Sequence, residues 1–284
     1  MREEIIMQLT PHVYRVHIQE DAVEFGVMHP GGSSIYFVGD PAQEMVVIDT
    51  GEHYREWTQK ILAYYEELGR PKITCIVVTH GHGDHTGGLD RLQEVMKCPV
   101  RCHPKLEKRL GKILSPEVVV KLRSRELIRT GGGASLRALF TPGHEVDHVC
   151  YYLAADKVMF TGDTILGGST ATVGDLAKYM KSLALLARFK PTALCPAHGP
   201  PMLENGHRRI QFYIHHRQER EQQILAALDK GITDVYDIVK AVYPRNLKKR
   251  LREAAARNVR THLAKLEKDG KVKTVAARYT VSKG

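Results

Sequence analysis

Long apolar runs are missing from this 284-residue sequence, and none of its hydrophobic stretches approaches the roughly 20 residues that a membrane helix needs. The N-terminus also lacks the basic and then apolar pattern of a secretory signal peptide. We therefore expect a cytoplasmic protein that does not contact a membrane.

Cysteine is scarce, and its pattern excludes a disulfide-stabilised fold. The five cysteines are an odd number and contain no C-x-x-C pair. We expect reduced thiols, mostly buried, at Cys75, Cys98, Cys102, Cys150 and Cys195.

An acidic excess is also absent, and the net charge of +10 is unevenly distributed. Residues 1–207 contain 23 Lys and Arg against 24 Asp and Glu, whereas residues 208–284 contain 19 against 8. Within the first part, residues 101–129 contain nine basic and three acidic residues. Such segments attract polyanions, although a solvated charged surface has the same composition.

Short strand patterns and single helical patterns alternate in residues 1–207. Runs of Val, Ile, Tyr and Phe predict strands at 13–18, 35–38, 45–48, 73–78, 136–140, 149–153, 158–160 and 193–195. Apolar residues at helical spacing predict helices over 54–68 and 174–189. This alternation indicates an α+β fold built of packed layers.

The pattern changes near Glu204, where glycine becomes rarer and amphipathic helices follow one another through Asp269. Thr233 offers an N-cap for one of these helices. Apolar patterns at 272–275 and 279–281 then predict a β-hairpin. Three helices followed by a hairpin is the order of a winged helix-turn-helix, so residues 208–284 are predicted to form a linker helix and this domain.

Seven potential metal ligands lie in glycine-containing segments that follow predicted strands. Any one of them could be a capping or turn residue, but the complete set indicates a metal site. Imidazole and carboxylate ligands suit zinc, iron or manganese, and a site without thiolate tends to keep positions open for water. The seven residues are His80, His82, Asp84, His85, His144, Asp163 and His198.

This pattern resembles the metallo-beta-lactamase superfamily and, nearly end to end, its beta-lactamase-like protein 2 branch. The resemblance implies an αββα sandwich in residues 1–207 as the catalytic domain, with two divalent ions, zinc or else iron or manganese. It assigns His80, His82 and His144 to one ion, Asp84, His85 and His198 to the other, and Asp163 to both. Histidine at position 82, where the diiron flavoprotein branch has glutamate, implies hydrolysis.

The implied chemistry is attack by a metal-bridging hydroxide, because two cations lower the pKa of a shared water toward neutrality. Asp84 would be both a ligand and the acceptor that orients this nucleophile. Asp49, at the end of a predicted strand, either braces a ligand histidine or caps a turn.

Three further residues are candidates for substrate binding. His148, four residues beyond His144, either lines the pocket or is a buried histidine on a strand. His216 and Arg217 lie on a predicted helix, where they either contact phosphate or belong to a solvated helix face.

The metal pattern does not set the substrate. The resembling branch includes an endoribonuclease acting on single-stranded RNA, and the basic segments favour such a polyanion. A glyoxalase II-like thioester or lactone hydrolase has the same metal pattern, and Gly81 and Gly83 replace bulkier residues of the RNA-cleaving members. A third alternative is a nucleic-acid-binding regulator. The sequence leaves open whether the winged helix binds nucleic acid or forms a homodimer.

Overall fold

The computed structural model describes residues 7–19, 32–168, 170–275 and 278–281. Contacts within the chain divide it into two units. The first comprises Met1–Pro142, Val146–Ala171 and Phe189–His207; the second comprises Gly143–Glu145, Thr172–Arg188 and Arg208–Gly284. The second unit therefore includes two segments that lie inside the predicted domain 1–207, and separate folding of 1–207 and 208–284 stays a prediction.

The first unit contains a seven-stranded sheet whose spatial order follows the chain. The first four strands pair antiparallel, and each later strand pairs parallel with its predecessor. The strands are β1 (Met7–Thr10), β2 (Val13–Ile18), β3 (Ser33–Gly39), β4 (Glu44–Ile48), β5 (Lys72–Val77), β6 (Val100–Cys102) and β7 (Val119–Lys121).

A second sheet of five strands has the order β12-β11-β10-β9-β8. Only its β11–β12 pair is parallel. The strands are β8 (Leu127–Arg129), β9 (Ser135–Phe140), β10 (Val149–Leu153), β11 (Val158–Gly162) and β12 (Ala193–Pro196).

Alternating apolar side chains explain how these sheets pack. Side chains from one face of β2 to β5, such as Val38 and Val77, meet those of β9 to β12, such as Leu136 and Phe160. The other face of the first sheet packs against helices α1 (Arg55–Glu67), α3 (Leu89–Met96) and α4 (Glu107–Leu110). A four-residue helix, α2 (Gly83–Thr86), lies in the loop after β5. The described part of this unit is therefore a helix–sheet–sheet stack, and the expected α+β class is confirmed.

The second unit is mainly helical. Its elements are α5 (Leu176–Ala187), α6 (Gly206–Asp229, whose first two residues belong to the first unit), α7 (Val235–Val242), α8 (Arg252–Lys268) and the antiparallel hairpin of β13 (Val272–Val275) and β14 (Arg278–Val281). Apolar residues at helical spacing, among them Ile224, Ile238, Val259 and Leu263, form its core. The predicted order of helices and hairpin is confirmed.

The N-cap of α7 is Asp234, so the prediction of Thr233 was wrong by one residue. The Asp234 side chain accepts hydrogen bonds from the backbone N–H groups of Tyr236 and Asp237, at 2.8 and 3.2 Å. Both residues are good capping types, and the sequence alone does not say at which one the chain turns into the helix.

Asp234→Ala is expected to lower the free energy of unfolding of the second unit by about 1 kcal/mol, because two N–H groups of the first turn lose their acceptor. Chemical denaturation followed by circular dichroism measures this change. Thr233→Ala is the matched control and should have little effect. An equal loss in the two variants would contradict the capping assignment.

The cysteines are free thiols and all are buried, as expected. Burial raises the pKa of the Cys75 thiol to about 11 and that of Cys150 to about 12, so these groups stay protonated at neutral pH.

Within the described ranges, no helix combines the length and the apolar character needed to cross a membrane.

Candidate metal centre

The centre lies where strands of both sheets end. His80, His82, Asp84 and His85 follow β5, Asp163 follows β11 directly, and His198 follows β12. Because β11 and β12 are parallel neighbours, their carboxyl ends lie at the same edge of the second sheet. Residues distant in the sequence are thereby brought together.

Four buried ligand atoms converge in this place. Asp84 Oδ2 lies 3.3 Å from His85 Nε2 and 3.1 Å from His198 Nε2. Asp163 Oδ1 lies 3.3 Å from His198 Nε2 and 3.7 Å from His85 Nε2. Asp84, His85 and His198 form a group whose ligand atoms lie within 4.8 Å of one another.

The other ring nitrogen of each histidine faces an acceptor, which orients Nε2 toward the carboxylates. His85 Nδ1 lies 2.8 Å from Asp49 Oδ2, and His198 Nδ1 lies 3.2 Å from the Gly32 carbonyl oxygen. A carboxylate and a carbonyl only accept, so each Nδ1 carries a hydrogen, and each Nε2 can offer its lone pair to a metal ion by giving up any proton of its own. Two such nitrogens facing two carboxylates fit a divalent cation, whose binding displaces protons.

The electrostatics of His85 also reflect a place for positive charge. Burial alone lowers the pKa of its imidazole, but the carboxylates of Asp49 and Asp84 outweigh burial and raise the pKa well above its usual value. The protein surroundings thus stabilise a cation at this point.

A second group of ligand atoms includes His80, His82 and Asp163, again within 4.8 Å of one another. His80 is fully buried, and its Nε2 lies 2.9 Å from Nδ1 of the partly exposed His82. Together the two groups make a His/Asp centre suited to divalent metal ions.

His144 belongs to the second unit. It is buried, and its Nδ1 lies 2.9 Å from the Thr172 carbonyl oxygen of the same unit. This contact places a hydrogen on Nδ1 and leaves Nε2 as the nitrogen that can bind a metal ion, as in His85 and His198. The assignment of His144 to the ion of His80 and His82 stays a prediction.

Asp49 makes the contact that a bracing residue needs. It follows β4 with a left-handed backbone, at φ 62°, and accepts hydrogen bonds from Thr79 N and Thr79 Oγ1, each at 2.7 Å, besides facing His85. Such conformations persist where the surroundings hold them and are common at functional sites. Thr79 was missed by sequence reasoning, although its place directly before His80 was a signal.

Asp49→Asn is expected to weaken metal binding by about 10- to 100-fold, because an amide holds the His85 imidazole less firmly and makes it less basic. Competition with a chromophoric chelator measures the affinity. Asp90→Asn, at an exposed position on α3, is the control. Unchanged affinity in the Asp49 variant would leave Asp49 with a purely structural role.

His148 is fully buried, and its contacts favour the alternative of a structural histidine. Its Nδ1 lies 3.0 Å from Thr141 Oγ1, and its Nε2 accepts a hydrogen bond from Asp163 N at 3.1 Å. Gly162, at φ 47°, allows this approach, since a Cβ there would lie 2.7 Å from His148 Nε2. His148 thus holds the backbone that carries Asp163.

His216 and Arg217 lie on α6 in the second unit. Arg217 is only 3% exposed, and its guanidinium lies 5.5 Å from the centre of the Tyr179 ring. Burial and the neighbouring cations, first Arg217, lower the pKa of His216. This packing differs from a solvated helix face, and a role of either residue in substrate binding stays a prediction.

Comparison with known proteins identifies the family. Residues 29–198 match the metallo-beta-lactamase superfamily, and residues 235–279 match the beta-lactamase associated winged helix domain. The chain therefore belongs to the metallo-beta-lactamase superfamily and is a hydrolase of that class, with a C-terminal winged-helix domain.

Curated relatives cover most of the chain. The lactamase-like protein vrtG of Penicillium aethiopicum is 38% identical over 229 residues, which are 78% of this chain and 68% of the relative. The beta-lactamase-like protein 2 homolog of Drosophila melanogaster is 34% identical over 256 residues, which are 85% of this chain and 84% of the relative. The resemblance to this branch is thereby confirmed.

Among solved structures, a beta-lactamase domain protein from Burkholderia ambifaria superposes with a TM-score of 0.80. The superposition covers 98% of this chain and 93% of that protein at 18% identity. At this identity the likeness supports the fold alone.

Proposed function

We propose that the protein is an endoribonuclease that hydrolyses phosphodiester bonds within single-stranded RNA. The observation that carries this proposal is the distribution of positive charge, because both the sheet unit and the helical unit carry basic segments that suit a polyanion. A hydrolase of small neutral esters would need neither segment.

We assign two divalent ions, zinc or else iron or manganese, to the centre on the chemistry of its ligands, which are imidazoles and carboxylates without thiolate. His80, His82 and His144 would hold one ion, Asp84, His85 and His198 the other, and Asp163 both. When bound, the ions would supply Lewis acidity, which makes water a stronger nucleophile and neutralises charge on the attacked phosphorus.

The protein's own residues provide orientation and proton handling. The Asp84 carboxylate, buried in the centre, orients the attacking water and accepts its proton. Asp49 keeps the hydrogen of His85 on Nδ1, and the Gly32 carbonyl does the same for His198. The ligand nitrogens are therefore preorganised before substrate binds.

The helical unit would bind nucleic acid without sequence preference. Among the described side chains between positions 245 and 260, six basic residues are exposed, and Glu253 is the acidic residue among them. They are Arg245, Lys248, Lys249, Arg252, Arg257 and Arg260. Direct contacts of such side chains with phosphates give affinity but carry no sequence information.

Charge reversal on α8, as in the double variant Arg257→Glu and Arg260→Glu, is expected to weaken RNA binding and make it less dependent on salt. Each lost phosphate contact lowers the slope of log affinity against log salt by about 0.7 for a single strand. Fluorescence anisotropy at several salt concentrations measures both quantities. Unaltered binding would assign the winged helix to assembly, such as a homodimer, which sedimentation would detect.

The decisive experiment offers metal-loaded protein two substrate classes side by side, labelled single-stranded RNA and a panel of acyl-thioesters and lactones. Internal cleavage of RNA that stops on chelation and returns with metal supports the proposal. Rapid thioester or lactone hydrolysis with intact RNA would replace it by the glyoxalase II-like alternative. RNA binding with neither reaction would favour the nucleic-acid-binding regulator.

A further inference from the structure

The short segment around α4 presents positive charge from a firmly held backbone. Leu106 and Leu110 are buried in the core of the first unit, at 3% and 0% exposure. Two basic residues lie between these leucines and two more flank them, and all four are exposed. We call these four residues, Lys105, Lys108, Arg109 and Lys112, the α4 edge.

The three lysines of the α4 edge have no carboxylate partner among the described residues. Glu107, the acidic residue in this segment, is committed to Lys121, whose Nζ lies 3.0 Å from its carboxylate. Within the described part of the chain, none of the four edge residues forms an ion pair with a carboxylate. The ammonium groups of the three lysines are thus available to anions from solution.

The α4 edge adjoins the loop that carries two of the metal-ligand candidates. Arg109 Nη2 donates a hydrogen bond to the carbonyl oxygen of Gly81, the residue between His80 and His82. The Leu106 side chain also lies against Gly81. The cationic edge therefore begins at the metal-binding loop.

The packing around residue 81 leaves room only for glycine. A Cβ on Gly81 would lie 2.7 Å from Leu106 Cδ2 and 3.0 Å from both Arg109 Nη1 and Asp147 Oδ2. A bulkier residue would push Arg109 and α4 away from the loop. Glycine at position 81 thus permits the close approach of a guanidinium.

We propose that the α4 edge binds the phosphates of a single-stranded polynucleotide that flank the bond at the metal centre. The inference rests on the proposed function and deepens it, because it assigns the substrate path within the first unit. Arg109 is the edge residue nearest the metal loop and positions that loop, whereas the three lysines contact successive phosphates as exposed point charges.

The test uses the full-length, metal-loaded protein with Lys105, Lys108 and Lys112 replaced together by Ala. Arg109 is left intact because its loss would also release Gly81. The control replaces three other exposed lysines of the first unit, Lys60, Lys97 and Lys157, and so removes the same charge. Elemental analysis first establishes equal metal content in all three proteins.

Two measurements follow, the KM for cleavage of a single-stranded RNA and the salt dependence of binding to a DNA strand of the same sequence. Loss of three phosphate contacts should raise KM at constant kcat and lower the slope of log affinity against log salt by about 2. The control variant should match the unsubstituted protein.

The outcomes separate the two proposals. If the unsubstituted protein cleaves RNA and the α4 variant behaves like the control, the α4 edge is excluded and the endoribonuclease stands. If the unsubstituted protein neither binds nor cleaves these strands, both proposals fall. If the protein binds these strands through the three lysines but does not cleave RNA, the proposal that the α4 edge binds phosphates stands and the proposed endoribonuclease activity is wrong.

Discussion

Asp163→Ala is expected to abolish binding of two metal ions, because this carboxylate faces the ligand atoms of both groups. Its Oδ1 lies 3.3 Å from His198 Nε2, and it also belongs to the group of His80 and His82. Elemental analysis after gel filtration should find far fewer than two ions per chain.

The control for this variant is Asp90→Ala, which removes an equal charge from the exposed surface of α3. If the Asp163 variant kept two tightly bound ions, its assignment to both ions would be wrong. A His/Asp centre of separate sites would then remain.

Asp84→Asn is expected to reduce RNA cleavage by about 100- to 10,000-fold, the range in which positioned acid–base groups contribute. His82→Ala should be similarly inactive through loss of a ligand. RNA binding should stay nearly unchanged in both variants, because phosphate contacts come from Lys and Arg outside the centre. Gel shift and cleavage are measured on the same preparations.

A contaminating nuclease is the main confounder, and the two variants purified identically control for it. Equal cleavage by the variants and the unsubstituted protein would assign the activity to a contaminant. Binding lost together with cleavage would contradict the separation of chemistry from phosphate binding.

Local signals predicted much of the fold. The helix predicted over 54–68 is α1, Arg55–Glu67, and the strand predicted at 149–153 is β10. The short strands β6, β7 and β8 have three residues each, too few to show alternation, and were missed. Sheet order could not be derived, because it depends on contacts between distant segments.

The centre was predictable where ligand residues are themselves informative. His80 to His85 form a dense cluster, and Asp163 and His198 follow strands beside glycine. Arg109 gave no such signal, because its contact with Gly81 spans 28 residues and involves a backbone carbonyl. The inclusion of α5 in the second unit could not be predicted either, because the apolar spacing of a helix does not indicate which element it packs against.

The ligand candidates come from strand ends in two different sheets, and this arrangement affects the stability of the protein. His80 and His85 follow a strand of the first sheet, whereas Asp163 and His198 follow strands of the second. Ions held by both sets would act as removable cross-links across the sandwich and raise its stability with rising metal concentration. Metal starvation would therefore expose this edge to local opening and proteolysis, so that the supply of metal would set the abundance of the protein as well as its activity.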